Sequence, residues 1–278
     1  MRLALVEVPY DCGRFAERMG QGPRVLAARL PERLAAAGHD ADVRPVRLPA
    51  GFHAEVAAVQ ALQPAVMSAV ASAREDGRLP VVLSGNCGYA ALGAAAALGP
   101  RAGVVWLDAH ADFNTPETSP SGFFDGTALA TLVGRCWRGV AGAFAGALPV
   151  AEERVLLVGA RDLDPEERRM LEGSRVGWIR PEGLRDDPDR LGGALDALAA
   201  AAAELYLHLD LDVLDPAELR ANRYAVGGGL GVEDVVSLIA SARRRMPIGA
   251  VALTAWDPSH DVEERGVDVA ARLVAALA

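Results

Sequence analysis

The hydrophobic residues of this chain fall into short runs of strand-forming residues, separated by longer Ala- and Leu-rich stretches with helical spacing. The short runs predict strands at 3–8, about 42–46, 81–84, 104–107, 155–158, about 176–179, 205–211 and 250–254. The longer stretches predict helices near 22–37, 54–76, 88–98, 126–138, 165–172, 189–203, 232–245 and 264–277. This alternation is typical of an α/β protein in which helices cover both faces of a parallel sheet.

Composition predicts that the whole chain, residues 1–278, is one domain. The chain has 278 residues, 51% of them hydrophobic, which is enough to fill one large α/β core. The Ala runs at 94–97 and 199–203 are typical of packed helices, since a linker would carry more Gly, Ser or Pro. No shift in composition divides the chain.

The charge balance excludes several classes of function. The net charge is -9 and no basic run occurs, so we expect no nucleic-acid partner. All 28 basic residues counted as Lys+Arg are Arg. Chemistry that depends on a lysine amine, such as a pyridoxal Schiff base or a Walker-type phosphate site, is therefore excluded.

The cysteines and the hydropathy pattern predict a cytoplasmic protein without a membrane partner. Cys12, Cys87 and Cys136 are odd in number and widely spaced, which is not a disulfide framework. The first apolar run is broken by Glu7, too early for a signal peptide. We also expect no charge-free apolar run of about 20 residues that could cross a membrane.

Two acidic motifs follow predicted strands. In the first motif, Asp108, His110 and Asp112 recur at intervals of two after strand 104–107, so in extended chain their side chains would leave on one side. In the second motif, Asp210 and Asp212 end strand 205–211. A single Asp at a strand end is often only a turn former or a helix cap, but repeated carboxylates and a His in register favour a metal site.

Other strand ends add to these motifs. Ligands in doubly wound sheets bind beyond the carboxyl ends of the strands. Gly85-Asn86-Cys87 follows one predicted strand, Arg161-Asp162-Leu163-Asp164 another, and Trp256-Asp257 the last. We therefore expect five strand ends to meet at one active site. His208 lies one pleat back, where a core role is favoured over ligation, and His39, His53 and His260 have no partner pattern.

The segments DAHADFNTP, GARDLDP and HLDLDVLDP, preceded by GNC, resemble the arginase, agmatinase and formiminoglutamase family of manganese-dependent ureohydrolases. The similarity covers residues from about 81 to 257. It implies a three-layer α/β/α fold with a mostly parallel sheet of about eight strands, and a homo-oligomer, commonly a trimer or hexamer. It also implies two manganese ions bridged by a hydroxide that attacks a guanidinium-type carbon.

The resemblance also assigns roles to the motif residues. Asp108 and Asp210 would bridge both ions, His110 and Asp212 would bind one, and Asp112 the other. Mn²⁺ accepts carboxylate and imidazole ligands, which agrees with this assignment.

A second set of residues matches the positions at which arginases hold an α-amino acid head group. The residues implied are Asn114, Thr115 and Ser121 for the carboxylate and Asp164 for the amino group. The alternative is that Asn114-Thr115-Pro116 is only a turn and Asp164-Pro165 only a helix start. Both descriptions can hold together, and they point to a small guanidino amino acid as substrate.

Three positions depart from the family pattern. Cys87 stands where the family has a metal-binding His, and it is either a thiolate ligand or a buried, inert thiol. Asp125 stands where arginases have a proton-shuttling His, and Asp257 replaces the Glu that faces the guanidinium. Asp112, Asp125 and Asp257 are therefore the candidate catalytic residues, and the first manganese site, near Cys87, is expected to be weak or empty.

These features predict an amidinohydrolase of L-arginine or a modified relative. N-hydroxy-L-arginine fits a weakened first metal site, because its less basic guanidine can approach the metal as a neutral group, and a biosynthetic role, as in antibiotic biosynthesis, would follow. A hydrolase of another guanidino or formimino acid is an alternative within enzyme chemistry. A catalytically silent, metal-binding paralogue is an alternative from another class.

Overall fold

The computed structural model describes residues 1–49, 54–142 and 148–278, so His53 lies outside the described residues. The strands are β1 (Arg2–Val8), β2 (Tyr10–Asp11), β3 (Arg14–Phe15), β4 (Asp40–Pro45), β5 (Leu79–Ser84), β6 (Ala102–Leu107), β7 (Val155–Val158), β8 (Gly177–Ile179), β9 (Glu204–Asp210) and β10 (Ile248–Thr254). Eight of them form one sheet in the order β4-β1-β5-β10-β9-β6-β7-β8, and every neighbouring pair is parallel. These are the eight strands that the hydrophobic pattern predicts.

Helices cover both faces of this sheet. They are α1 (Gln21–Ala36), α2 (Glu55–Glu75), α3 (Ala91–Ala96), α4 (Ala128–Leu132), α5 (Arg138–Ala141), α6 (Pro165–Glu172), α7 (Pro181–Asp186), α8 (Pro188–Ala201), α9 (Val232–Arg245) and α10 (Gly266–Ala275). One core contains buried residues of α2, α3 and α4, and the other contains buried residues of α1, α8, α9 and α10. The three-layer α/β/α fold is thus confirmed.

The central strands are buried on both faces, as parallel sheets require. Every residue of β6 is buried, whereas the edge strand β4 is mostly half-buried or exposed. The large aromatic side chains of Trp106 and Tyr206 lie in the core on the α2 side of the sheet. Leu107 and Leu207 enter the core on the α1 side.

Three regions differ from the predicted elements, one of which is the short helix α7, which the hydrophobic pattern does not predict. The helix expected at 126–138 is interrupted: α4 ends at Leu132 and α5 begins at Arg138, because Gly134 and Trp137 between them take positive φ values of 79° and 45°. The hairpin of β2 and β3 was not predicted. Its two-residue turn, Cys12-Gly13, has φ values of 48° and 78°, a turn that the sequence signals only weakly without Asn or Asp at the first position.

By length and composition alone, α2 is long and apolar enough to cross a membrane. Its charge-free run, 56–73, is interrupted only by Gln, Ser and Pro. In the structure Leu62, Val66 and Val70 are fully buried in the core beside the sheet. The apolar character of α2 is therefore that of a helix packed on a sheet.

Candidate metal centre and active site

Five adjacent strands end at one cavity of about 330 Å³. These strands, β5, β10, β9, β6 and β7, are consecutive in the sheet, so the five predicted strand ends do meet at one edge. The residues that line the cavity are Met19, Cys87, Asp108, His110, Asp112, Asn114, Ser119, Pro120, Ser121, Phe123, Asp125, Gly126, Asp162, Asp164, Glu167, Asp210, Asp212, Asn222, Tyr224 and Ala255.

The first acidic motif lies in the loop that follows β6. The extended register that predicted a shared direction for its side chains is wrong, because the strand ends at Leu107 and Asp112 takes a positive φ of 49°. Hydrogen bonds shape the loop instead. Oδ1 of Asp108 accepts from the backbone N–H of His110 at 2.7 Å, and Oδ2 accepts from Trp106 Nε1 at 3.0 Å.

The second motif is a strand end followed by a single 3₁₀ turn. Asp210 is the last residue of β9, and Asp212 lies in the turn Leu211–Val213. Oδ1 of Asp210 accepts from Asp212 N at 2.8 Å, which caps the turn. Oδ1 of Asp212 in turn accepts from Ala109 N at 3.2 Å, so the two motifs are joined directly.

Two groups of possible metal ligands emerge from these loops. We call Cys87, Asp108 and Asp112 the deep group, since all three residues are buried, and Asp108, His110 and Asp212 the outer group. Within each group, one ligand atom of each residue lies within 4.8 Å of the others, and Asp108 is common to both. Asp210 adjoins the deep group, with Oδ2 3.1 Å from Cys87 Sγ.

The electrostatics of the two groups fit a cation. Burial, followed by the charges of neighbouring carboxylates, raises the pKa values of Asp112 and Asp210 well above the ordinary range. Burial would lower the pKa of His110, but Asp212 and Asp108 outweigh it and raise that pKa to about 10. Carboxylates packed this closely repel one another, and a divalent ion among them would relieve the repulsion. The donor set therefore suits one or two divalent ions.

Cys87 lies at the bottom of the cavity. Its thiol donates to Asp210 Oδ2, and its Sγ is 3.2 Å from Thr254 Oγ1. Burial and the surrounding carboxylates raise the pKa of the thiol, so without a metal it is protonated. Asp125 supports the same turn by accepting from the backbone N–H groups of Cys87 and Gly88 at 3.0 and 2.6 Å.

Most of the expected head-group residues line the cavity. Asn114 Nδ2 donates to Asp164 Oδ2 at 3.0 Å, and Ser121 is also among the lining residues. Asp164 also begins α6, where it forms a capping box with Glu167, so the structural role proposed for it is present as well. Thr115 is buried and is not among the cavity-lining residues; its backbone N–H donates to Thr118 Oγ1 at 2.9 Å.

The structure does not place Asp257 at the cavity. The chain turns sharply after β10 at Ala255, whose φ is 59°, and this breaks the alternation that would have aimed residue 257 inwards. Ala255 lines the cavity instead. Asp257 Oδ1 accepts from the N–H and hydroxyl of Ser259 at 2.9 and 2.7 Å, and the residue borders a small neighbouring pocket.

Several cavity residues were missed by the sequence analysis. Glu167 was hidden within α6, and it accepts from Phe113 N at 2.9 Å, which ties the loop after β6 to that helix. Burial raises the pKa of Glu167 to about 7. Phe123 and Tyr224 come from separate loops and stack at 5.7 Å. The capping spacing Asp164-x-x-Glu167 was a usable signal, whereas nothing local marks the aromatic pair.

Comparison with known proteins identifies the family of this chain. The model of the arginase family matches residues 1–278. The N(omega)-hydroxy-L-arginine amidinohydrolase of Streptomyces lavendulae is 33% identical over 81% of this chain and 80% of its own length, and the arginase of Bacillus caldovelox is 28% identical over 99% and 97%. The crystal structure of arginase from Bacillus cereus superimposes with a TM-score of 0.88 at 25% identity, covering 100% of this chain and 98% of that one. The chain therefore belongs to the arginase family, whose members hydrolyse guanidino C–N bonds.

Proposed function

We propose that this protein is a manganese-dependent amidinohydrolase of a guanidino amino acid, with N-hydroxy-L-arginine favoured over L-arginine. The products would be ornithine and hydroxyurea, or urea from arginine. The observation that carries the proposal is the deep group, in which a cysteine lies beside Asp108 and Asp112 at a distance that would allow all three to bind one ion. A relative that hydrolyses N(omega)-hydroxy-L-arginine, by its name, supports the choice of substrate.

The residues that would hold the metal are those of the two groups together with Asp210. Asp108 and Asp210 would be shared, Cys87 and Asp112 would serve the deep site, and His110 and Asp212 the outer site. Manganese bound there would lower the pKa of water and so would supply hydroxide at neutral pH.

The chain's own residues bind and orient the substrate. Asn114, Ser121 and Asp164 form a polar wall that would hold the α-carboxylate and α-amino groups. Asp125 faces the same cavity, and burial raises its pKa to about 7 although the N–H groups of Gly88 and Cys87 oppose that rise. A carboxyl group that titrates near neutrality suits proton transfer to the leaving amine, and we propose Asp125 for that role.

Two features favour a neutral hydroxyguanidine over a guanidinium. A thiol is a softer ligand than imidazole for Mn²⁺ and must lose a proton to bind, so the deep site should hold its ion weakly. The end of β10 presents Ala255 to the cavity, so no carboxylate is available there to pair with a guanidinium. A less basic substrate can approach the metal without shedding a proton first.

One panel assay tests the proposal. The purified protein, loaded with manganese, is given L-arginine, N-hydroxy-L-arginine, agmatine and formiminoglutamate, and release of urea, hydroxyurea or formamide is measured. We expect N-hydroxy-L-arginine to have the highest kcat/KM and agmatine, which lacks the carboxylate, to be poor. Preference for formiminoglutamate would replace the proposed substrate, and bound manganese without turnover of any compound would indicate a silent paralogue.

We propose further that the protein is a cytoplasmic homo-oligomer, a trimer or a hexamer. Its cysteines Cys12, Cys87 and Cys136 are free thiols, which fits a reducing compartment. Light scattering of the purified protein measures the oligomer directly.

A further inference from the structure

A chain of buried hydrogen bonds leads from the core of the sheet to Cys87. Tyr206 Oη lies 2.7 Å from His208 Nδ1, and His208 Nε2 lies 3.3 Å from Thr254 Oγ1. Thr254 Oγ1 lies 3.2 Å from Cys87 Sγ. None of the four residues is more than 1% exposed, so none can satisfy a polar atom with bulk water.

The direction of these hydrogen bonds follows from the number of available partners. His208 is fully buried, and among the described residues its ring nitrogens form hydrogen-bond contacts only with the hydroxyls of Tyr206 and Thr254. Because no carboxylate is paired with the ring to balance a positive charge, the imidazole is neutral and carries one N–H. Among the described residues the buried hydroxyl of Tyr206 contacts only His208 Nδ1, and reversing that bond would leave the phenolic hydrogen unsatisfied. Tyr206 therefore donates to Nδ1, and the imidazole hydrogen resides on Nε2.

The hydrogen bond between Thr254 and Cys87 also has a definite direction. With its hydrogen on Nε2, His208 donates to Thr254 Oγ1, which frees the threonine hydrogen for another acceptor. The two candidates are Cys87 Sγ at 3.2 Å and the carbonyl of Leu209 at 3.5 Å. The shorter contact is the one to sulfur, so each group donates to the next, from Tyr206 towards Cys87.

The imidazole cannot rotate out of this arrangement. His208 stands opposite Trp106 in the register of β9 and β6, and the two rings stack with centroids 3.7 Å apart and planes inclined by 10°. Trp106 is fixed in turn by its hydrogen bond to Asp108 Oδ2 at 3.0 Å. His208 is thus linked through Trp106 to Asp108, the residue common to the deep and outer groups.

We propose that Tyr206, His208 and Thr254 are positioning residues that direct the Thr254 hydroxyl hydrogen onto Cys87 Sγ and so prepare this cysteine to bind a metal ion as a thiolate. The inference rests on the proposed metal-dependent function and deepens it. A thiolate is a stronger hydrogen-bond acceptor than a thiol, so the donor stabilises the sulfur in the form that binds metal. The chain explains how a buried cysteine among carboxylates can serve as a ligand.

The test uses cobalt(II), because a thiolate bound to cobalt has a sulfur-to-metal charge-transfer band in the near ultraviolet. The metal-free protein is titrated with cobalt, and band intensity and affinity are recorded for the wild type and for Cys87→Ser, Thr254→Val, Thr254→Ser and Tyr206→Phe. We expect the band in the wild type and its loss in Cys87→Ser. Thr254→Val should weaken cobalt binding at this site by about tenfold or more, Thr254→Ser should retain it, and Tyr206→Phe should weaken it by a smaller factor.

A matched control is available in the same fold. Thr131 is also buried, and its hydroxyl lies 3.4 Å from the sulfur of Cys136, which does not line the cavity. Thr131→Val should leave the cobalt band and affinity unchanged, which separates the proposed role from a general effect of removing a buried hydroxyl.

Two results would overturn the inference. The first is a wild-type protein that binds cobalt without the thiolate band, and the second is unchanged cobalt affinity in Thr254→Val and Tyr206→Phe. If Thr254→Val does not fold, Tyr206→Phe alone decides, since it removes one atom and leaves the packing intact. Manganese-dependent turnover of the wild type is measured in parallel, so that failure of the inference is distinguishable from failure of the proposed function.

Discussion

The deep and outer groups share Asp108 but differ in chemistry and in access. The deep group is buried, and its distinctive ligand atom is the sulfur of Cys87, which forms hydrogen bonds with Asp210 and Thr254. In the outer group the distinctive donor is His110, whose side chain is 28% exposed to the cavity and lies 3.4 Å and 3.5 Å from Asp108 and Asp212. The protein thus pairs a soft, buried site with a harder, accessible one.

This difference has a consequence for binding order and substrate choice. A metal ion reaches the outer group from the cavity and displaces a proton from His110, whose pKa is raised to about 10. The deep group must release the proton of a buried thiol whose pKa is raised well above its ordinary value. We therefore expect the outer site to fill first and the deep site to respond most strongly to pH and to the ligand at position 87. Substrate preference should follow the occupancy of the deep site.

The largest effect is expected from substitution of Asp108, the residue common to both groups. Asp108→Asn should lower turnover to below about a thousandth of the wild-type rate, because it weakens both sites and leaves the shape of the side chain unchanged. Manganese content per chain, measured by elemental analysis, should fall with activity. The control Asp196→Asn changes an exposed carboxylate paired with Arg245, and it should alter neither quantity. Full manganese content in Asp108→Asn would contradict the shared role.

A smaller effect is expected from substitution of Asp164, which lines the cavity and belongs to neither group. Asp164→Asn should lower kcat/KM for the amino acid substrate by about ten- to a hundredfold, since it removes one charge-assisted contact. Asn still caps a helix, so α6 should remain intact, and manganese content should not change. Asp187, which caps α8 before a proline as Asp164 caps α6, provides the matched control Asp187→Asn. Equal losses in the two variants would indicate a purely structural role for Asp164.

Exchange of the distinctive donor of the deep group should shift specificity. Cys87→His should tighten manganese binding and raise activity on arginine relative to N-hydroxyarginine by about tenfold, or about 1.4 kcal/mol of differential barrier. Both substrates are measured over a manganese titration in one buffer, with Cys136→Ser as the control for loss of a buried thiol. Two tightly bound manganese ions and a preference for arginine in the wild type would show that Cys87 is only a tolerated substitution.

The smallest expected effect is a pH dependence of stability that differs between the deep group, through Asp125 beside it, and the outer group, through His110. In the metal-free protein the pKa of Asp125, which supports the Cys87 turn, is raised from 3.8 to about 7, and that of His110 from 6.5 to about 10. A raised pKa in the folded state means that folding binds protons, so stability is present at low pH and is lost as pH rises, between about 4 and 7 for Asp125 and between about 6.5 and 10 for His110.

Thermal unfolding after chelation measures this dependence. The melting temperature should fall by about 5 °C across each interval. Asp125→Asn should reduce the lower step, to which Glu167 with its pKa of about 7 also contributes, and His110→Gln should remove the upper one. Manganese should abolish the upper step by binding deprotonated His110. A melting temperature that rises with pH in the chelated protein would contradict the pKa shifts of both groups.

Much of the fold could be predicted from the sequence because the central strands are buried on both faces. Continuous apolar runs such as 104–107 are unambiguous when bounded by polar strand ends, and α6 and α9 occur at the predicted residues 165–172 and 232–245. Prediction failed where a backbone turn was decided by positive φ, as at Gly134, or where a hairpin was closed by Cys12-Gly13. Hydrophobic periodicity does not predict such turns, because it reports which residues are buried and not the backbone angles between elements.

The candidate site was predictable at the strand ends and unpredictable beyond them. Asp108 directly follows β6 and Asp210 is the last residue of β9, so their position at the cavity follows from the order of the sheet. His110 and Asp257 each lie three residues beyond the end of a strand, and of these two only His110 lines the cavity, because the positive φ of Ala255 turned Asp257 away. Each residue added after a strand end multiplies the available backbone conformations, so that local pattern loses its predictive value.

The sequence by itself determined the layered fold, the acidic edge and the presence of a cysteine among possible metal ligands, because these depend on periodicity and residue type. Only the tertiary structure decided which residues lie close enough to share an ion, which carboxylates line the cavity and which hydroxyl faces Cys87. His208 illustrates the division: its place in β9 follows from the alternation of the strand, but its stacking on Trp106 and its bond to Thr254 require β6 and β10 as neighbours. Contacts between strands distant in sequence are fixed by the folded sheet, and no local segment encodes them.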